Sequence, residues 1–183
     1  DERELGVALL DIGGGTADLA IFERGALWHT AVIGVGGDHF TNDIAVGLRT
    51  PIPEAEKVKR RSGCALSGMV DEDETIEVAS VGGRRPRVMA RRILSDILQP
   101  RAEELFHLAW DEISKAGYEK SLNSGLVLTG GGAVLDGLSE IAEQIFDLPM
   151  RRGVPAGVGG LADHLSNPAC ASALGLVLYA HRH

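Results

Sequence analysis

The sequence predicts an α/β fold: a mixed β-sheet flanked by helices, with a smaller α/β lobe inserted. Three observations support this prediction. One apolar run ends at Asp11 before a glycine turn, a second ends at Thr129 before another glycine turn, and segments with helical periodicity lie between them. With 183 residues, of which 44% are hydrophobic, the chain can bury a sizeable core.

The first fifty residues predict three strands followed by a helix. The strands are apolar runs joined by tight turns, at Val7–Ile12, Asp18–Phe22 and Leu27–Ile33. A glycine-rich turn at 34–38 then leads into a helix, since Phe40, Ile44 and Leu48 recur at helical spacing.

The next segment predicts a helix and then a strand. Pro53 suits the first turn of a helix that runs from Glu54 to Ser62 and that Gly63 ends. An acidic turn at 71–74 precedes a strand at Thr75–Val81.

An arginine-rich segment follows this strand. Six arginines between residues 84 and 101 lie among apolar residues, and some of them fall on neighbouring helical positions. Pro100 is expected to interrupt the helical pattern there. The pattern then continues from Leu105 to Gly117.

The last third predicts one strand and two helices. Ser124–Thr129 is a short apolar strand, and after the glycine turn a helix at Val134–Phe146 is expected to follow at once. A glycine-rich segment continues through Gly160. Pro168–Ala180 is expected to form a closing helix of small and apolar residues that packs against the sheet.

The turn after the first strand predicts a phosphate-binding loop. Gly13, Gly14 and Gly15 leave no side chains between the backbone and a ligand, so several N–H groups can point at one anion. Asp11 can neutralise a magnesium ion through its water shell. The alternative, a hairpin turn, needs one or two glycines rather than three followed by Thr16.

Two further features could complete a nucleotide site. Glu56 and Lys59 lie three apart on one helix face, where the acid could bond a ribose hydroxyl and the lysine stem could cover an adenine. A solvated helix face is the alternative. The glycines at 130–132 could let the backbone lie flat against a purine, or could form a strand-to-helix turn without a ligand.

Composition and charge exclude several classes of function. The net charge of −8 argues against a nucleic-acid partner, which requires a basic face. No apolar run approaches the roughly 20 residues of a membrane span. Cys64 and Cys170 are expected to be free thiols, with a disulfide as the alternative. No metal site built on cysteine or histidine is expected, because none stand at ligand spacing.

These motifs together resemble a known family. DIGGGTADLAIF resembles the second phosphate loop of the actin-like ATPase superfamily, and LVLTGGGAVLDGL resembles its adenosine loop. Four more stretches narrow the resemblance to FtsA, a family of actin-like proteins of bacterial cell division: HTAVIGVGGDHFTNDIAVGL, AEKVKRRSGCAL, EVASVGGRRPR and ILSDILQPRAEELF. The resemblance extends from about Leu5 to Tyr179.

The resemblance implies an actin-like (ribonuclease H-like) fold with ATP and magnesium as ligands. Asp11 would hold a magnesium-bound water, and Glu56 and Lys59 would line the ribose and adenine. Gly37 would border the cleft. The remaining implied contacts are to the phosphates, from Gly13, Gly14, Gly15 and Thr16, and to the adenosine, from Gly130, Gly131, Gly132 and Ala133.

The resemblance covers only the second half of an FtsA. Residues 1–50 and 102–183 would form subdomain IIA, the actin-like core, and residues 51–101 the inserted subdomain IIB. Half of the nucleotide cleft would then come from outside this sequence. We therefore expect weak or undetectable nucleotide binding by this chain alone, and at most a weak ATPase activity.

The implied function is that of an ATP-binding adaptor. Such a protein polymerises into actin-like filaments and, with other division proteins, tethers FtsZ filaments to the cytoplasmic face of the membrane at the division site. Membrane contact is implied only through a C-terminal helix that is absent from this sequence. The FtsZ C-terminal tail, which is acidic and apolar, would bind IIB, with Arg87, Arg91 and Arg101 as candidate contacts. The alternative is that these arginines pair with nearby acids or stay solvated.

Two other functions of the same superfamily compete with this one. A chaperone-type ATPase would be expected to carry a substrate-binding β-domain after Tyr179. A sugar kinase would need a catalytic aspartate and a sugar pocket, and neither can be assigned in the sequence.

Overall fold

The computed structural model describes residues 1–82, 84–156 and 165–182. Gly83, residues 157–164 and residue 183 lie outside this description, so the end of the predicted glycine-rich segment, at 157–160, is not described. The strands are β1 (Val7–Ile12), β2 (Ala17–Glu23), β3 (Ala26–Ile33), β4 (Thr75–Val78), β5 (Arg87–Ala90), β6 (Leu126–Thr129) and β7 (Met150–Arg152). The helices are α1 (Glu2–Leu5), α2 (Gly37–Gly47), α3 (Ile52–Ser62), α4 (Arg91–Ala116), α5 (Leu138–Phe146) and α6 (Ala171–Arg182).

The main sheet has five strands in the order β3-β2-β1-β6-β7. β1 pairs antiparallel with β2 and parallel with β6, so it is the central strand of a mixed sheet. In the parallel pair Asp11 lies beside Thr129. Both strands therefore end at the same edge of the sheet, and the two glycine turns that follow them are neighbours.

The core lies on one face of this sheet. Leu10 on β1 is paired with Leu19 on β2 and Leu128 on β6, and all three side chains are buried. They belong to one apolar cluster with Phe40 of α2 and Phe106 of α4. Because the side chains of a strand alternate between faces, the apolar residues of the strands meet the apolar faces of the helices here.

The inserted region forms a second, smaller sheet. β4 and β5 pair antiparallel as a two-stranded sheet, and β5 leads directly into α4. α4 continues without a break across residue 101, where the sequence predicts the boundary between IIA and IIB. The division into two subdomains therefore stays a prediction, with one helix shared between them.

The expected interruption at Pro100 is wrong. α4 runs for 26 residues with Pro100 inside it and exposed. Leu98 and Ala102 are buried on either side of the proline and pack in the same core. Burial of apolar groups along both halves of the helix outweighs the one lost backbone hydrogen bond and the ring clash.

The helix expected directly after the second glycine turn begins later. A short 3₁₀ turn at Gly132–Val134 comes first, and Gly137 then adopts φ +80° before α5 starts at Leu138. The intervening backbone pairs elsewhere, since Asp136 O accepts a hydrogen bond from the Ala65 N–H at 2.6 Å. The second glycine turn is therefore not the N-terminus of a long helix.

The closing helix faces the sheet with one side, across a cavity. Leu174 and Leu178 line a cavity with Leu9 and Val127 of the sheet. Leu176, Val177 and Tyr179 are 71%, 63% and 66% exposed. The predicted packing of this helix against the sheet is therefore only partly correct. The helix is rich in small and apolar residues on all sides, so its sequence did not indicate which side faces the sheet.

Other predicted elements are confirmed with shifted ends. The three N-terminal strands, the helices α2 and α3 and the strand β6 are present. The strand expected at Thr75–Val81 is shorter, and α1, β5 and β7 were not predicted. None of the described helices is both long and apolar enough to cross a lipid bilayer.

Candidate functional site

A cavity of about 400 Å³ is lined by both glycine turns. Gly13 and Gly14 contribute from the first turn, and Gly131 and Gly132 from the second. The remaining lining comes from the start of α2, from α3 and from two loops, through Gly37, Asp38, Phe40, Glu56, Lys59, Arg60, Arg61, Gly63, Val134, Leu135, Asp136, Asn167 and Ala169. Thus seven of the twelve residues that were predicted to bind the nucleotide line one space, and the other five lie outside its lining.

The two turns approach each other because the residues between them lack side chains. A Cβ on Gly132 would lie 2.4 Å from Cγ2 of Ile12, at the end of β1. A Cβ on Gly130 would lie 2.2 Å from Oδ1 of Asp11, and Gly130 also has φ +85°. Glycine is required at both positions, because a larger residue would push the second turn away from the first strand.

The first glycine turn is held against the start of α2. Gly13 and Gly14 accept hydrogen bonds through their carbonyl groups from the N–H groups of Gly37 and Asp38, at 2.9 and 2.8 Å. These bonds occupy two donors of the helix N-terminus. In the described part of the chain, the N–H groups of Gly14 and Gly15 donate to no protein acceptor, and both residues are exposed. Any anion here would be bound by the turn itself.

A polar network connects α2 with α3 at one wall of the cavity. The Lys59 ammonium group, whose side chain is 13% exposed, donates to Gly37 O at 2.8 Å and to Thr41 Oγ1 at 2.7 Å. It also pairs with Glu56 Oε2 at 2.7 Å. Thr41 Oγ1 donates to the same Glu56 oxygen at 2.5 Å. Lys59 therefore has three acceptors, which fix its stem along the wall.

Glu56 is held as a carboxylate by this network. Partial burial opposes ionisation, but the hydrogen bonds from Lys59 and Thr41 outweigh it, so the pKa of Glu56 lies below its ordinary value. Its other oxygen lies 3.7 Å from Arg60. An ionised glutamate at a cavity wall can accept a hydrogen bond from a sugar hydroxyl.

Asp11 lies beside the second turn rather than in the cavity lining. Its Oδ1 faces Gly130, and its Oδ2 accepts a hydrogen bond from the Ser172 hydroxyl at the start of α6. The other predicted residues outside the lining differ in their exposure. Gly15 and Thr16 are exposed on the first turn, and Gly130 and Ala133 are buried beneath the second.

Several residues of this site were not predicted from the sequence. Thr41 is buried and links Glu56 with Lys59, and its position in the first turn of α2 was the only available signal. Asp136 and Asn167 line the cavity from loops. No periodicity could indicate them, because they lie outside the regular elements near the cavity.

The three candidate partner-binding arginines already make contacts within the chain. Arg101 pairs with both carboxylate oxygens of Asp43, at 2.7 and 3.0 Å, and with Glu104. The hydrogen bond to Asp43 raises the pKa of Arg101 further above its ordinary high value. Arg87 donates to Leu48 O. Arg87 and Arg101 thus both contact the α2 region.

Arg91 contacts different elements. It donates to Ser62 O, at the end of α3, at 2.8 Å and pairs with Glu74 at 2.6 Å. Arg87 and Arg101 therefore both contact the α2 region, whereas Arg91 contacts the end of α3 and the residue before β4.

The chemical groups of the candidate site partly match those that bind a nucleotide with its magnesium ion. The two exposed N–H groups of Gly14 and Gly15 suit phosphate oxygens. The turn has no side chains to block a phosphate, and the space beside Gly15 is open, since an added Cβ there would meet no atom within 4 Å. Among the described residues, no group of three His, Cys, Asp or Glu could hold a metal ion. One carboxylate, Asp11, suits a magnesium ion that keeps most of its ligands as water and phosphate.

The sequence matches a family of known proteins. Residues 8–175 match the model of a family described as "Cell division protein FtsA". The chain is 50% identical over 179 residues to the cell division protein FtsA of Pseudomonas aeruginosa, and 44% identical over 186 residues to that of Escherichia coli strain K12. These alignments cover 98% of this chain but only 43% and 44% of the relatives, so the chain spans less than half their length.

The fold matches solved structures at lower sequence identity. MreB5 of Spiroplasma citri bound to ADP has a TM-score of 0.70 and 22% identity, over 96% of this chain and 54% of that protein. A chain of the PilM–PilN type IV pilus biogenesis complex has a TM-score of 0.73 and 22% identity, over 97% of this chain and 46% of the other. These likenesses confirm the predicted actin-like α/β fold.

Proposed function

Because this chain belongs to the FtsA family of cell division proteins, we propose that it forms one side of an ATP site. The proposal is supported above all by one observation: the two glycine turns and the Glu56–Lys59 pair line the same cavity. A similar structure, MreB5 of Spiroplasma citri, is bound to ADP. The wider activity of the protein is part of the proposal too, since the chain spans less than half of its relatives.

Each wall of the cavity has a proposed part in nucleotide binding. The N–H groups of Gly14 and Gly15, with Gly13 and Thr16 beside them, bind phosphate oxygens. Glu56 accepts a hydrogen bond from a ribose hydroxyl, and the Lys59 stem lies along the base. The adenosine lies against the second turn, at Gly131, Gly132 and the neighbouring Gly130 and Ala133.

Magnesium is the proposed metal, held by Asp11 through water. When bound, it neutralises part of the phosphate charge. The chain's own residues bind and orient the nucleotide, and none of them is assigned a catalytic role. We propose ATP as a ligand that controls conformation and assembly more than as a substrate to be turned over.

The nucleotide proposal can be tested by NMR on the ¹⁵N-labelled chain. Millimolar AMPPNP with magnesium is expected to shift the amide signals of both glycine turns and of the α3 wall with a single dissociation constant. If the signals of Gly14 and Gly131 stay in place while other regions move, the site lies elsewhere.

Two matched glycine variants sharpen this test. An added Cβ meets no atom within 4 Å at either Gly15 or Gly34, so both Gly15→Ala and Gly34→Ala are expected to fold normally. Gly15→Ala puts a methyl group between the phosphate and the backbone. It is expected to weaken nucleotide binding about tenfold, or about 1.4 kcal/mol. Gly34 belongs neither to the first glycine turn nor to the cavity lining, so Gly34→Ala is expected to bind like the parent chain.

We also propose that the FtsZ C-terminal tail binds beside β5 and α2. Arg87, Arg91 and Arg101 remain the candidate contacts, although each would share its guanidinium group with a partner inside the chain. α2 and β5 also carry exposed apolar side chains, since Val46 and Val88 are 70% and 72% exposed. A surface that combines exposed apolar and basic groups is complementary to an acidic, apolar peptide.

A charge-swap variant tests the tail proposal while keeping an ion pair between residues 43 and 101, although Glu104 loses its pairing with Arg101. Asp43→Arg combined with Arg101→Asp keeps the ion pair between α2 and α4 but exchanges its ends. If Arg101 contacts the tail, the double variant is expected to lose affinity for an FtsZ tail peptide while its Tm stays close to that of the parent. Unchanged peptide affinity in a folded double variant would remove Arg101 from the candidates. Raised salt is expected to weaken the parent's binding.

Filament formation and cellular position complete the proposal. We propose self-association into actin-like filaments and location at the cytoplasmic face of the membrane at the division site, together with other division proteins. Membrane contact would come from a helix outside this sequence. Sedimentation velocity with and without AMPPNP tests the self-association.

A further inference from the structure

A short segment at the start of α6 connects the ends of both strands that carry the glycine turns. The carbonyl oxygen of Pro168 accepts hydrogen bonds from the Gly130 N–H at 3.1 Å and from the Thr129 hydroxyl at 3.3 Å. Four residues later, the Ser172 hydroxyl donates to Oδ2 of Asp11. Segment 168–172 is therefore bonded to the end of β6 and to the end of β1.

The bond between Ser172 and Asp11 acts on one oxygen of the carboxylate. A carboxylate on a single short side chain can rotate, and a hydrogen bond to Oδ2 restricts that rotation. No side chain at residue 130 covers Oδ1, because residue 130 is a glycine. A Cβ at that position would lie 2.2 Å from Oδ1. One carboxylate oxygen of Asp11 is therefore hydrogen-bonded to the protein. The other lies beside Gly130, which has no side chain to cover it.

We propose that Ser172 is a positioning residue that orients Asp11 toward a magnesium-bound water, and that it thereby links the metal position to α6. This inference rests on the proposed function, since it assumes that Asp11 holds magnesium. Groups that hydrogen-bond to a metal-binding side chain fix its orientation and tune its affinity for the metal. Ser172 stands in that relation to Asp11.

The link matters because none of the side chains described in α6 is fully buried. Leu174 and Leu178 face the sheet across a cavity that they line with Leu9 and Val127, while Leu176 and Val177 are exposed. A change at Asp11 therefore acts on the first turn of a helix that is only partly buried. Loading the metal position shifts the environment of Ser172 and of the residues that follow it.

The test compares nucleotide binding with and without magnesium. AMPPNP is titrated into the ¹⁵N-labelled chain in magnesium and in EDTA, and the gain in affinity from magnesium is measured. Three variants are used. Ser172→Ala removes the hydroxyl and Ser172→Thr keeps one. Ser166→Ala makes the same change at an exposed serine that does not line the cavity.

The expected results separate a positioning role from a structural one. Ser172→Ala is expected to lower the magnesium-dependent gain about tenfold, the lower end of the range for outer-shell partners, with binding in EDTA unchanged. Ser172→Thr is expected to restore the gain, and Ser166→Ala to leave it intact. In the parent chain, magnesium should shift the amide signals of Ser172 to Leu174, and in Ser172→Ala these shifts should disappear.

Three results would overturn the inference. One is an unchanged magnesium-dependent gain in Ser172→Ala. Another is a loss that appears equally in EDTA, which would indicate a general change in the fold. The third is a response of the glycine turns to magnesium that leaves the α6 signals unmoved. If the glycine turns do not respond to nucleotide under any condition, the proposed function itself fails, and the inference fails with it.

Discussion

Gly130 has the most restricted backbone position in the candidate site. It has φ +85°, and a Cβ added there would lie only 2.2 Å from Asp11 Oδ1 and 2.5 Å from Ile12 O. The Ile12 oxygen belongs to the backbone of the central strand and cannot move aside easily. Gly130→Ala is expected to lower the free energy of unfolding by about 2–4 kcal/mol, measured by urea denaturation.

The matched control is a glycine with open space around it. Gly68 has no atom within 4 Å of the position that a Cβ would take, and it has no positive φ. Gly68→Ala is expected to change the free energy of unfolding by less than about 0.5 kcal/mol. Equal effects of the two variants would mean that the close approach of the second turn to β1 contributes little to stability.

Glu56 should make the stability of the chain depend on pH in acid. Its pKa is lower in the folded chain, because the bonds from Lys59 and Thr41 outweigh the opposing effect of burial. The unfolded state then takes up the proton first. The stabilisation is complete above the ordinary glutamate pKa of about 4.3, and is lost as the pH falls through the lower folded value.

The variant Glu56→Gln tests this dependence. Its free energy of unfolding is expected to fall less steeply than that of the parent chain as the pH is lowered from about 5 to 3. Urea denaturation at a series of pH values measures the slope. Glu54→Gln, on the same helix, removes one negative charge but leaves the bonds among Glu56, Lys59 and Thr41 in place, so it controls for the loss of charge. The explanation fails if both variants alter the slope equally.

Residue-level prediction from the sequence worked where the chemistry was local. Three glycines after an aspartate, and an acid and a lysine three residues apart, indicated two segments that contribute to one cavity, although Asp11 and Gly15 lie outside its lining. The sequence could not indicate that Thr41 joins Glu56 to Lys59, since those contacts link residues 15 and 18 positions apart. Nor could it predict that Arg101 pairs with Asp43, 58 positions away.

At the scale of elements, α4 combines a long apolar face with a proline in its interior. Pro100 lacks the N–H that would bond to the carbonyl four residues earlier, and its ring crowds that carbonyl. Pro100→Ala is expected to raise the free energy of unfolding by about 1–2 kcal/mol, because the restored bond outweighs the greater freedom of the unfolded chain.

Pro53 provides the matched comparison. It lies in the first turn of α3, where a missing N–H removes no helix bond. Pro53→Ala is expected to be neutral or destabilising by about 0.5 kcal/mol. Thermal and urea denaturation of both variants measure the difference. A destabilised Pro100→Ala would show that the proline is preferred at that point of α4.

Periodicity predicted the long elements better than the short ones. The strands β1 to β3 and the helices α2 and α3 have regular apolar patterns and were found. β5 begins with Arg87 and β7 contains Arg151 and Arg152, so neither resembles an apolar strand. Their positions depend on pairing with β4 and β6, which is tertiary information.

At the scale of the whole molecule, we expect the chain alone to enclose the candidate ligand incompletely, because it spans less than half the length of its relatives. The nucleotide would keep much of its surface in water, which weakens each hydrogen bond to it. We expect isothermal titration calorimetry to detect no micromolar binding of ATP with magnesium. The longer FtsA of Pseudomonas aeruginosa, 50% identical where it aligns, is the matched comparison. Micromolar affinity of this chain alone would contradict the expectation.

The parallel pairing of β1 with β6 also affects how the protein is made. Ala8 pairs with Leu126, which is 118 positions later in the chain. At a synthesis rate of about 5–20 residues per second, β1 leaves the ribosome roughly 6–24 seconds before its neighbour exists. During that interval β1 can pair only with β2, and one apolar edge remains open to chaperones or to other nascent chains. The cavity is complete only once Ala169, 161 positions after Ala8, has been translated.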